Sequence, residues 1–120
     1  MNQAISTIES RVSEISAQAL QQRMHAGDAP LLAEILGPSY FAKGHLPGAL
    51  NLPLEGFSEG AARLLPNKGA EIVVYCASVT CANSHVAARK LVSDGYSNVR
   101  VFAGGKAAWV EAGFALVTEG

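Results

Sequence analysis

The sequence predicts an α/β domain built on a parallel sheet, and three observations carry that prediction. First, short apolar runs bounded by turn residues, at 30–36, 49–52, 71–75 and 98–102, alternate with segments whose apolar residues recur at helical spacing. Second, the best of these runs, Ile72-Val73-Val74-Tyr75, is continuous rather than alternating, which suits a strand covered on both faces. Third, 120 residues of which 49% are hydrophobic fit one domain with a substantial core.

Taken in order, Ile5, Ile8, Val12 and Ile15 recur at helix-like spacing, so residues 2–14 are expected to form an amphipathic helix. This divides the chain into an extension, 1–15, and a domain, 16–120. Ser16 has the chemistry of an N-cap for a helix over 17–26, which Gly27 would end. The run 30–36 reads as a buried strand, and 38–43 as a helical turn that begins with Pro38 and closes at Gly44. A second strand at 49–52 precedes Pro53. Residues 54–65 place Leu54, Phe57, Ala61, Leu64 and Leu65 on one side of a helix. Pro66-Asn67-Lys68-Gly69 is a turn, followed by the strand at 71–75. A helix at 82–94 turns Ala87, Ala88 and Leu91 inward and stops at Gly95. A strand at 98–102, the Gly104-Gly105 turn and a helix at 106–112 complete the pattern.

Charge excludes several classes of partner. Charged residues are 16% and the formal net charge is −1, with no basic stripe for nucleic acid and no polybasic patch for a membrane surface. No apolar run approaches the length of a membrane span, and residues 1–10 lack the layout of a secretory signal, so a cytoplasmic location is expected. Two cysteines, Cys76 and Cys81, are too few for a disulfide framework or a closed zinc site. Neither a metal nor a cofactor is expected.

Cys76 follows the best strand and precedes a helix, and in parallel sheets functional groups gather at such carboxyl ends. A sulfur nucleophile must ionise. A loop of inward-pointing N–H groups and the positive end of a helix both favour the thiolate, and both would hold a persulfide anion. The loop Ala77, Ser78, Val79, Thr80, Ala82, Asn83 and Ser84 contains no acid, and Ser78, Thr80 and Ser84 are candidate hydrogen-bond donors. The alternative is a small, buried and inert cysteine.

Further segments resemble the rhodanese family in that family's order. Phe41-Ala42-Lys43-Gly44-His45-Leu46-Pro47-Gly48-Ala49, followed by Asn51-Leu52-Pro53, resembles its F-x-x-G-H-[IL]-P-G-A segment. Ile72 to Cys76 resembles the strand that delivers the catalytic cysteine. Ser84 to Leu91 with Gly95-Tyr96 and Asn98-Val99 resembles the helix and strand that follow, and Gly104-Gly105-Lys106-Ala107-Ala108-Trp109 with Gly113-Phe114 resembles the closing signature. The resemblance covers residues 16–117. It implies a three-layer rhodanese-like domain with about five parallel strands, and a sulfurtransferase in which Cys76 forms a persulfide. The donor would be thiosulfate, a persulfide or mercaptopyruvate, and the acceptor a thiol or cyanide.

The chain departs from the family pattern at three points. The loop after Cys76 is longer by two residues, and no Lys or Arg lies between Cys76 and His85. Cys81 stands where the family often has an arginine. The segment Glu34-Ile35-Leu36 keeps the acid of Asp-x-Arg and lacks its arginine. These departures make the dianion thiosulfate a poor expected donor. The related dual-specificity phosphatases need an arginine at position 82, which is Ala82 here, so phosphatase chemistry is rejected.

Cys81 is a candidate resolving thiol, with a packed helix-start residue as its alternative. Glu34 and His85 are candidate orienting groups; a capped strand-end acid and a helix-surface histidine are their alternatives. His45 is expected to bond loop backbone, Lys106 to be an exposed helix lysine or to lend charge to the site, and Trp109 and Phe114 to be core. Besides a small donor and a thiol acceptor, a second copy docking through the N-terminal helix is a candidate partner. Two other functional classes stay open: a non-catalytic sulfur carrier or redox sensor using Cys76 and Cys81, and a thiol-disulfide oxidoreductase, which lacks the usual Cys-x-x-Cys spacing.

Overall fold

The computed structural model describes residues 12–118. Strands and helices alternate along the chain: β1 Val12–Glu14, α1 Ala17–His25, β2 Leu31–Glu34, α2 Pro38–Lys43, β3 Leu50–Asn51, α3 Phe57–Leu64, β4 Ile72–Tyr75, α4 Asn83–Ser93, β5 Val99–Phe102 and α5 Gly105–Glu111. The five strands form one sheet in the order β1-β5-β4-β2-β3, and every pairing is parallel. The expected α/β architecture is therefore observed.

One element differs in kind. Val12–Glu14, expected as the end of an amphipathic helix, is an edge strand that pairs with β5 from Val12↔Val99 to Glu14↔Val101. The edge of the sheet supplies hydrogen-bond partners that outweigh a weak local helical pattern. The remainder of the expected 2–14 helix lies outside the described residues. β1 is the fifth strand, so the sheet begins inside the segment assigned to the extension.

The helices follow from local chemistry. The Ser16 hydroxyl accepts from Ala19 N–H at 3.1 Å and caps α1. Gly27, at φ +79°, turns the chain after α1. Strand alternation then sorts the core into two layers. Ala33, Ile72, Val74, Val99 and Val101 pack with Phe57, Ala61, Leu65, Ala87, Ala88 and Leu91, on the face covered by α3 and α4. Leu32, Val73, Tyr75 and Phe102 pack with Ala17, Leu20, Leu46 and Trp109, on the face covered by α1 and α5. All four residues of β4 are buried, as its unbroken apolar run requires. Trp109 is core and donates Nε1–H to the Ala115 carbonyl at 2.9 Å, whereas Phe114 is only partly buried against it. Among the described residues no helix is long and apolar enough to cross a membrane.

Candidate active site

Cys76 immediately follows β4, the central strand, at the carboxyl edge of the sheet. By strand parity it belongs with Ile72 and Val74, on the α4 side. Its carbonyl accepts from Lys106 N–H at 3.1 Å, and that of Ala77 from Ala107 N–H at 2.9 Å. The first turn of α5 is thus pinned beneath the loop. This contact explains the Gly-Gly turn: Gly105 has φ +60°, and a Cβ there would come within 2.3 Å of the Cys76 carbonyl oxygen.

The sulfurs of Cys76 and Cys81 are paired as a disulfide, with their Cα atoms 6.3 Å apart. Residues 78–81 form a turn closed by Cys81 N–H donating to the Ser78 carbonyl at 3.0 Å, which folds Cys81 back over Cys76. Cys76 is 1% exposed, whereas Cys81 is half-buried. Ser84, itself buried in the first turn of α4, places Oγ 3.6 Å from Cys76 Sγ.

The expected cradle of amides is not what encloses the sulfur here. The Cys81 carbonyl oxygen stands 3.3 Å from Cys76 Sγ, where the turn at 78–81 places it. An anion at Cys76 would be repelled by that oxygen. The first-turn N–H groups of Asn83, Ser84 and His85 lie too early in α4 to have an intrahelical acceptor.

Other expected site residues separate by position. Ala77, Val79, Thr80 and Ala82 are exposed along the loop. The hydroxyls of Ser78 and Thr80 bond each other at 3.0 Å at its exposed tip, so of the three proposed donors only Ser84 reaches the sulfur. Asn83 donates Nδ2–H to the Ile35 carbonyl at 3.0 Å, tying the start of α4 to the end of β2. His85, half-buried on α4, lines a small cleft with Val12, Glu14, Arg89 and Val101 over the β1 edge, in keeping with a helix-surface histidine.

Glu34 is bonded elsewhere than to the loop amides that an orienting role would need. It is fully buried, but two-residue alternation puts it with Leu32 on the α1/α5 face, opposite to Cys76. It pairs in register with Tyr75, whose hydroxyl donates to Oε1 at 2.9 Å; Leu46 N–H donates in turn to that hydroxyl at 3.1 Å. Its other oxygen takes no well-directed hydrogen bond and is held by the charge of Lys106 Nζ at 3.0 Å. Lys106 Nζ also donates to the carbonyls of Tyr40 at 3.0 Å and Gly44 at 2.7 Å. Lys106 is thus a partly buried counter-ion on the face opposite to the sulfur, not an exposed helix lysine. Burial pushes the Tyr75 hydroxyl's pKa well up, with the Glu34 charge adding to it, so Tyr75 stays a donor. Neither Tyr75 nor Lys106 was expected as a partner of Glu34, although Leu32 and Glu34 alternating beside Val73 and Tyr75 could have revealed the first. His45 meets expectation: Nδ1 lies 3.0 Å from the Phe41 carbonyl, and its ring stacks on Phe41.

A groove of about 700 Å³ opens on the α1/α5 face, lined by Ile15, Phe102, Gly104 and Glu111 and touched by the loop only through Val79; the Cys76 sulfur does not line it.

Comparison with known proteins agrees with this architecture. A sulfurtransferase from Allochromatium vinosum is 33% identical over 106 residues, which cover 88% of this chain and 95% of that protein. The crystal structure of the Alr3790 protein from Anabaena sp. matches with a TM-score of 0.78 at 28% identity, covering 87% of this chain and 91% of that one. The thiosulfate sulfurtransferase of Pseudomonas aeruginosa shares the fold, with a TM-score of 0.79 at 21% identity over 92% of this chain and 21% of that one. The family model for the rhodanese-like domain matches residues 16–112, a span that takes in the strand, loop and helix around Cys76. The chain belongs to the rhodanese-like domain family.

Proposed function

We propose that this chain is a sulfurtransferase that carries sulfane sulfur as a persulfide on Cys76. The observation that carries this reading is the placement of Cys76: it ends the central strand, faces the first turn of α4, and has a buried hydroxyl, Ser84 Oγ, 3.6 Å from its sulfur. Family membership and the similarity to a sulfurtransferase support sulfur transfer as the chemistry.

The cycle starts from the reduced protein, in which the Cys76–Cys81 bond is open. In that state the first-turn N–H groups of α4 and the Ser84 hydroxyl are the groups that can serve an anionic sulfur. The Cys76 thiolate attacks the outer sulfur of a donor R–S–S⁻, forming Cys76–S–S⁻ and releasing R–S⁻. An acceptor thiolate then takes the outer sulfur and restores the Cys76 thiolate. A free thiol of this kind fits a reducing compartment such as the cytoplasm. No Lys or Arg lies between Cys76 and His85, which disfavours the dianion thiosulfate and favours an organic persulfide as donor.

Incubating the reduced protein with thiosulfate, 3-mercaptopyruvate and glutathione persulfide, and recording intact mass, tests this reading. The expected result is the gain of one sulfur atom, fastest from the persulfide, removable by cyanide or thiol with turnover, and absent in Cys76→Ser. Loading that survives in Cys76→Ser, or no loading from any donor, sinks it.

The disulfide favours a second reading, a carrier or redox-sensing module without turnover. Sulfur uptake that no acceptor removes catalytically would select it.

A further inference from the structure

We infer that Cys81 discharges the Cys76 persulfide within the chain, releasing hydrosulfide and leaving the disulfide seen in the structure. The inference rests on the persulfide reading above and adds a second activity to it, sulfane-sulfur reduction in place of transfer to an external acceptor.

Three observations carry it. The loop brings two cysteines five positions apart to a Cα separation of 6.3 Å, within the roughly 4.4–6.8 Å that disulfides span. The turn that achieves this is closed by the loop's own backbone, Cys81 N–H to Ser78 C=O at 3.0 Å, so the approach is built into the fold. The bond found is between the Sγ atoms of the two cysteines, which is the product of attack on the inner sulfur of a Cys76 persulfide. Attack on the outer sulfur would instead move that sulfur to Cys81.

The step balances. Cys81–SH and Cys76–S–S⁻ give the Cys76–Cys81 disulfide and HS⁻. The Cys81 sulfur forms a bond to Cys76 Sγ as the bond from Sγ to the outer sulfur breaks, and the proton of Cys81 leaves with the hydrosulfide. The sulfane sulfur is reduced to sulfide, while the two cysteine sulfurs supply two electrons. Returning to the dithiol requires an external reductant of the dithiol class, which is itself oxidised to a disulfide.

Exposure sets the direction of that return. Cys81 is half-buried and Cys76 is 1% exposed, so a reductant reaches Cys81 first and Cys76 is the leaving sulfur. It leaves facing Ser84 Oγ and the first turn of α4, the groups suited to a thiolate. Each reduction therefore regenerates Cys76 in its reactive form.

A single loading experiment tests the step. The reduced full chain is given one equivalent of glutathione persulfide, desalted, and followed by intact mass and by sulfide release with no thiol added. The wild type is expected to pass from one added sulfur to the loss of two hydrogens while one equivalent of sulfide appears. Cys81→Ser and Cys81→Ala are expected to load one sulfur and keep it until an external thiol is supplied, a loss of spontaneous release. A wild type that retains its sulfur as long as these variants do overturns the inference and leaves the Cys76 persulfide standing. Failure of both Cys81 variants and the wild type to load any sulfur overturns the persulfide reading and this step with it.

Discussion

Tyr75 and Cys76 are neighbours in the chain at the carboxyl edge of one strand, yet their surroundings are opposite. On the α1/α5 face, Tyr75 meets a buried carboxylate, Glu34, which is matched by the Lys106 ammonium. On the α4 face, Cys76 meets a hydroxyl, a second cysteine and a main-chain carbonyl, with no cation among the contacts of its sulfur. The difference teaches that the one full counter-charge near this edge belongs to architecture. It secures the α2 end, β2 and the start of α5. Under the reading proposed above, ionisation at Cys76 would be left to helix amides and Ser84.

The largest effect should come from the charged face. Lys106→Met would leave Glu34 buried with only Tyr75 as a partner, at a cost of about 3–5 kcal/mol. Urea denaturation measures it. Glu34→Gln combined with Lys106→Met should cost less than Lys106→Met alone, because the uncompensated charge has gone. Sulfur loading per folded molecule should hold, since Lys106 N–H still bonds the Cys76 carbonyl. Loss of loading in the folded variant would mean that the two faces are not independent.

A smaller effect should appear on the sulfur face. In a reduced Cys81→Ser background, Ser84→Ala removes the hydroxyl 3.6 Å from Cys76 Sγ. A hydrogen bond to a charged group is worth about 1.5–3 kcal/mol, so the midpoint of the alkylation-rate profile against pH should move up by about one to two units. A profile that stays in place would assign the thiolate to the helix amides alone.

How far this contrast could be read in advance follows from the range of each signal. Cys76 at the end of Ile72–Tyr75 is a local pattern, and the structure puts it at the sheet edge as expected. The helix caps at Ser16 and Gly27 are equally local. Val12–Glu14 was misread because its three residues become a strand only when β5 is beside them. Glu34 stands out in the sequence as an acid at a strand end, but the sequence does not show what surrounds it. Its side is decided by alternation from Leu32, and its counter-ion lies 72 positions away at Lys106, a pairing no spacing rule supplies. The pairing of Cys81 with Cys76 depends on the turn at 78–81, which residue spacing alone does not show.

The smallest effect lies at the opposite, amino end of the sheet, where an ion pair is wetter. Glu71, just before β4, receives Arg23 Nη1 at 2.9 Å, and Arg100 Nη1 lies 3.6 Å from the same carboxylate. The Arg23 hydrogen bond, helped by the charges of Arg23 and Arg100, holds the Glu71 carboxyl below its ordinary range against the opposing push of burial. Because the folded pKa is the lower one, this contribution is complete above the unfolded value of about 4.3 and fades as pH falls through the folded value. Glu71→Gln should therefore lower stability by about 0.5–1 kcal/mol at neutral pH, less in high salt, and by nothing in strong acid. Urea midpoints at neutral and acid pH, with and without salt, measure this. The Glu34–Lys106 pair, whose carboxylate is fully buried, should show a weaker salt dependence. An equal salt response at both ends would mean that water reaches Glu34 and that the contrast between buried and wet charge does not hold.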